Sequence, residues 1–139
     1  MYSAMWIVLL ICVLSQFAMG AEVPEALREM GDVLHAHCVG ETSVAESLID
    51  DAKKGVFSEE KALKCYLRCI FEETSMITDD GRFDAEAMLG VLPPEVRTNL
   101  EPTVTSCAAK VNPGADECET IWLTVKCFYE MDPKNYFMF

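Results

Sequence analysis

Apolar residues recur along most of the chain at intervals of three and four, the spacing that gathers them on one face of an α-helix. Leu27, Met30, Leu34 and Cys38 trace the first such face. It opens at Pro24, tolerated in a first helical turn and followed by Glu25 and Glu29, and ends near Gly40. A second helix carries Val44, Leu48 and Ile49, with Thr42 or Ser43 as its cap and Gly55 as its stop. The third is expected from a Ser58 cap to about Thr74, with no Gly or Pro inside and Leu63, Leu67, Ile70 and Phe71 facing inward. Thr78-Asp79-Asp80-Gly81-Arg82 is a turn by its chemistry, and Asp84 then caps a short helix, Ala85 to Leu89, broken by Pro93-Pro94. The fifth helix, from Pro94 or Glu95 to about Lys110, carries Val96, Leu100, Val104 and Cys107. Pro102 falls in its middle and should bend or split it. A sixth, Ala115 to about Glu130, carries Cys118, Trp122, Val125 and Cys127 and stops at Asp132-Pro133. No alternating run of useful length suggests a strand. The pattern predicts an all-α domain of about six helices.

The first twenty residues follow another rule. Trp6 to Leu14 is an unbroken apolar run, followed by the small residues Ala18 and Gly20 that suit a signal peptidase. The run is shorter than the roughly 20 residues a membrane span needs. Residues 1–20 are therefore expected to be a cleaved signal peptide, although no Lys or Arg precedes the run, and the mature chain starts at Ala21. That leaves 119 residues, one domain, carrying the whole formal charge of −12. Such acidity argues against nucleic acid and against anionic membrane surfaces, and no stable membrane insertion is expected.

Cys12 leaves with the signal, so six cysteines remain: Cys38, Cys65, Cys69, Cys107, Cys118 and Cys127. An even number in a secreted chain of this size implies three disulfides and no free thiol. Cys65 and Cys69 lie a turn apart on one face of the third helix and could fasten it to two other parts of the chain at once. Spacing alone does not choose among the many possible pairings. A zinc site is not expected, since only His35 and His37 could join and neither has ligand spacing to a cysteine pair. No cofactor is implied. Enzyme readings lack a nucleophile in a recognisable frame. A secreted phospholipase A2 would need a calcium loop and a His-Asp pair beside adjacent cysteines, and a saposin would place its cysteines at the two ends of the domain. Asp50-Asp51 and Glu72-Glu73 read as solvated faces.

The full pattern, Cys-x26-Cys-x3-Cys-x37-Cys-x10-Cys-x8-Cys on an acidic helical chain behind a signal peptide, resembles the insect odorant-binding protein family. The resemblance is to its six-cysteine group of pheromone-binding and general odorant-binding proteins. It covers the chain from about Pro24 to Phe139 and includes Lys64-Cys65-Tyr66 and the tail Asp132-Pro133-Lys134-Asn135-Tyr136-Phe137. It implies interlocked bonds Cys38–Cys69, Cys65–Cys118 and Cys107–Cys127 around an apolar ligand cavity.

The resemblance further implies a secreted carrier, in sensillar lymph by analogy, for small hydrophobic odorants, pheromones or lipids. An olfactory receptor would be a further partner, and the protein would be a monomer or homodimer. The helical faces offer Phe71, Met76, Leu89, Leu92, Val96, Leu100, Val104, Trp122 and Leu123 as lining, although stripes of this kind equally build a filled core. A secreted interaction or allergen-like protein of the same fold is the corresponding alternative. Residues 132–139 would form a tail over the pocket, contributing Phe137 and Phe139. The terminal carboxylate at Phe139, held by His35 or the Tyr66 hydroxyl, would be a latch that opens on acidification and helps release the ligand. His37 is expected to face solvent.

Overall fold

The computed structural model describes residues 22–139, so the expected signal segment and its cleavage point lie outside the described residues. Six helices follow in order: α1 Glu25–Thr42, α2 Glu46–Lys53, α3 Lys61–Glu73, α4 Ala85–Val91, α5 Pro94–Lys110 and α6 Glu117–Met131. Among the described residues the only β pairing is a single antiparallel bridge between Ile77 and Phe83.

Helix ends depart from expectation wherever a hydroxyl is expected to cap. α1 passes Gly40 and stops at Ser43, which adopts the left-handed conformation (φ 54°) and donates its N–H to the Val39 carbonyl. The Thr42 hydroxyl donates back to the Cys38 carbonyl at 2.7 Å, and the residue before α2 is Ala45, with no side-chain cap. Ser58 accepts from the Glu60 N–H at 3.2 Å, which closes a turn before α3 and delays the helix to Lys61. These are the local side-chain to backbone bonds by which Ser and Thr compete with helix formation. The aspartates do cap: Asp84 accepts from the Ala87 N–H at 3.0 Å and Asp116 from the Glu119 N–H at 2.9 Å. The Asp116 cap starts α6 two residues after the expected Ala115. Pro102 does not split α5, which runs through it. Proline lies on the exposed side of the helix, where water can serve the carbonyl left without an N–H partner.

α3 is the centre of the molecule. Leu63, Tyr66 and Leu67 are completely or almost completely buried on it, and its most extensive packing is against α6 and α1. The disulfides follow that packing: Cys38–Cys69 ties α1 to α3, Cys65–Cys118 ties α3 to α6, and Cys107–Cys127 ties α5 to α6. This is the pairing the resemblance implies. Beside the second bond, Arg68 donates from Nε to Glu117 at 2.8 Å, and Lys64 Nζ reaches Glu119 at 3.2 Å. After α3 the turn closes through Gly81 (φ 77°), whose N–H donates to the Thr78 carbonyl. The neighbouring Arg82 guanidinium donates to the Ala108 and Val111 carbonyls, both at 3.3 Å, where the end of α5 leaves carbonyls unpaired.

Candidate functional site

The tail beyond α6 folds back against the helices. Asn135 and Tyr136 first donate their N–H groups to the Asp132 carbonyl, turning the chain. Tyr136 is then buried, packs edge-on against Tyr129 at 5.2 Å, and donates its hydroxyl to the Ala52 carbonyl at 3.3 Å, which fixes the tail to α2. Burial, and secondarily Tyr129, pushes that hydroxyl well above its ordinary titration range, so it remains a donor. Farther on, the Phe139 ring lies on α1 over Gly31, so close that a Cβ at this glycine would collide with it.

At the same end of the tail the Tyr66 hydroxyl donates to the main-chain oxygen of Phe139 at 3.2 Å. His35 flanks the tyrosine, with Nδ1 2.9 Å from the same hydroxyl and Nε2 3.1 Å from Glu46 Oε1. Desolvation first, and the Glu46 charge second, hold the Tyr66 hydroxyl far above its ordinary range, so it too stays protonated. Three elements, α1, α2 and α3, thus meet the tail at one polar point. His37 is exposed and pairs loosely with Glu73 at 3.5 Å.

Between the tail and helices α1, α3, α4 and α6 lies an apolar pocket of about 70 Å³. Of the residues proposed from the sequence, Phe71, Met76, Leu92, Phe137 and Phe139 line it. Leu100 and Val104 line a smaller void of about 30 Å³ on the other side of Phe128 and Tyr136. Leu89 and Trp122 are buried in the packed core, while Val96 and Leu123 are partly buried against it; none of the four lines a pocket. Trp122 stands between two cations, with Lys64 Nζ 4.6 Å and Lys126 Nζ 5.1 Å from its ring centre. Its place is the α3–α6 edge. The centre is therefore less hollow than expected, because methionine and tail side chains occupy much of the space.

Sequence reasoning missed ten of the fifteen lining residues, among them Met30, Met88, Val91, Phe128, Tyr136 and Met138. Met88 and Val91 on α4 and Leu92 just past its end recur at three and four residues, the same signal that marks the other helical faces, but the expected helix ends at Leu89 and leaves it incomplete. On its outer side the tail borders a surface groove of about 850 Å³, edged by Arg28, Asp32, Lys53 and Lys54 and floored by Tyr136, Phe137, Met138 and Phe139. Among the described residues no helix is long and apolar enough to cross a membrane, and no cluster of His, Cys, Asp and Glu is arranged to hold a metal.

Comparison with known proteins places this architecture. The profile of the PBP/GOBP family matches residues 20–131. General odorant-binding protein 69a of Drosophila melanogaster is 28% identical over 116 residues, which cover 83% of this chain and 77% of the relative. The crystal structure of odorant-binding protein 4 of Chrysopa pallens superposes with a TM-score of 0.73 at 28% identity, covering 84% of this chain and 98% of that one. Odorant-binding protein 7 of Anopheles gambiae, a four-disulfide relative solved in complex with an azo compound, gives 0.69 at 26% identity over 78% of this chain and 88% of its own. With six helices among the described residues, interlocked cysteines and a family match over most of its length, the chain belongs to the PBP/GOBP family of insect odorant-binding proteins.

Proposed function

We propose that the protein carries small hydrophobic molecules through an aqueous secretion, odorants reaching an olfactory receptor through sensillar lymph being the family's case, and holds them in the apolar pocket beneath the tail. The observation that carries this reading is the pocket itself: side chains from four helices and the tail converge on it and leave an apolar surface unfilled. Burying a ligand's apolar surface there removes it from water. At about 70 Å³ the empty pocket is smaller than the roughly 300 Å³ of a pocket that encloses a drug-sized molecule. Loading therefore requires the lining to move. The tail and the four lining methionines, Met30, Met76, Met88 and Met138, are the adaptable parts, since thioether chains repack at low cost.

The polar point at Phe139 acts as the latch, and proton counting sets its response to pH. The Phe139 oxygen only accepts, so the single Tyr66 proton goes there; His35 Nδ1 must then donate to the tyrosine oxygen. Glu46 only accepts, so Nε2 must donate as well. All three contacts coexist only when His35 carries both protons. Protonation of His35 thus completes the network and does not break it. This reverses the sign of the simplest acid-release scheme.

Displacement of a fluorescent apolar probe, at neutral pH and near pH 5, tests both parts. Saturable binding that survives at pH 5, and that becomes weaker and insensitive to pH when residues 134–139 are removed, is the expected result. Loss of binding at pH 5 would leave the carrier standing and remove this account of the latch. Absence of saturable binding would point to a filled core and a surface-recognition role.

A further inference from the structure

Beyond its shape, the pocket's hydrogen-bonding inventory restricts what it can take. The lining includes only two side-chain hydroxyls, Thr74 and Tyr136. Both protons are committed within the protein. Thr74 Oγ1 donates to the Ile70 carbonyl at 2.9 Å and to that of Phe71 at 3.2 Å, and Tyr136 donates to the Ala52 carbonyl at 3.3 Å, with Met138 Sδ 3.4 Å away as a second acceptor. No Asn, Gln, Ser, His or charged side chain lines it, and its inner surface is almost entirely carbon and sulfur. The rim continues the same chemistry: Met30 and Val91 stand exposed beside it, two of the few large apolar residues left in solvent. Cations do occur near the tail, at Arg28, Lys53 and Lys54, but they line the outer groove and not this pocket.

Resting on the carrier reading, we infer that the pocket selects hydrocarbons and rejects their alcohols and acids. A hydroxyl taken inside gives up its water and finds only thioether sulfur, a weak acceptor, and the oxygens of Thr74 and Tyr136, whose protons are already committed, while a carboxylate finds no donor at all. A hydrocarbon of the same skeleton loses nothing on entry. Aromatic edges and methionine sulfur instead suit an unsaturated skeleton, which offers π-faces to Phe71 and Phe128. The ligand class is therefore the unfunctionalised terpene or alkene.

The test is competition of limonene, α-terpineol and perillic acid against one fluorescent probe on the disulfide-bonded protein at neutral pH. Limonene is expected to bind at least tenfold more tightly than the alcohol, with the acid weaker still. The variant Met88→Gln, which puts an amide on the lining, is expected to narrow the gap by improving the alcohol; an unchanged gap would mean that general hydrophobicity, not the missing partner, sets the order, and would overturn the inference. Alcohol or acid binding as tight as limonene in the unaltered protein would overturn it alone. Failure of all three to displace a probe that binds saturably would overturn it and leave the carrier reading standing, whereas absence of saturable probe binding would remove both.

Discussion

Gly31, Gly40 and Gly90 all lie within helices, yet only at Gly31 is the missing side chain used. The Phe139 ring occupies the space a Cβ would take, and the buried glycine lets tail and helix touch. Replacing Gly31 by Ala sets two effects against each other. Helix propensity favours Ala by about 0.5–1 kcal/mol, while the displaced ring gives up its packing. Hydrogen exchange is expected to show α1 unchanged or better protected and residues 136–139 exchanging faster; unchanged tail protection would mean that the ring does not hold the tail. Glu119 offers a second test at this scale. The Ala115 N–H bond first, and the Lys64 ammonium second, lower its titration from an ordinary value of 4.5. A carboxylate depressed in the fold stabilises it fully above the ordinary value, and that contribution disappears as pH falls through the depressed one. Glu119→Gln should therefore lower stability at neutral pH and flatten the acid side of a denaturation-against-pH curve, leaving the two proteins nearly equal at the acid end.

At the scale of elements, the disulfides rank by the loops they close. Cys65–Cys118 spans 53 residues and Cys107–Cys127 spans 20. In the chain-entropy description, removing the first pair as alanines costs about 4 kcal/mol and removing the second about 3. Denaturant midpoints of the two double variants should fall in that order, and the reverse order would show that native packing, not loop closure, dominates. All six helices were legible as elements, five from apolar residues at three- and four-residue spacing and the short α4 from its Asp84 cap and the Pro93-Pro94 stop. Their ends were legible only in part. Asp84 caps as expected, but Asp116 caps a helix expected to begin one residue before it, Thr42 and Ser58 found nearer partners, and Ser43 ends α1 and does not cap α2, a competition decided by geometry that spacing does not encode. The pocket was harder to read. Phe71 and Trp122 look alike on a helical projection, and only the three-dimensional course of the tail sends one to the cavity wall and the other to the cationic edge of α3 and α6.

Over the whole molecule the dominant feature is charge. A formal net charge of −12 on one small domain makes the folded state repel itself. Raising ionic strength from about 0.05 M to 0.5 M shortens the screening length severalfold, and the melting temperature should rise with it. A fall would mean that ion pairs such as Arg68–Glu117 outweigh the general repulsion. Low salt is also where solubility should be greatest, so stability and solubility pull in opposite directions across the same range.

The tail is one layer of chain with two sides. Tyr136, Phe137, Met138 and Phe139 wall the inner pocket and floor the outer groove at the same time. Cargo large enough to push these side chains aside redraws the outer relief by the same movement. Under the proposed carrier reading, empty and loaded molecules would wear different faces at the groove.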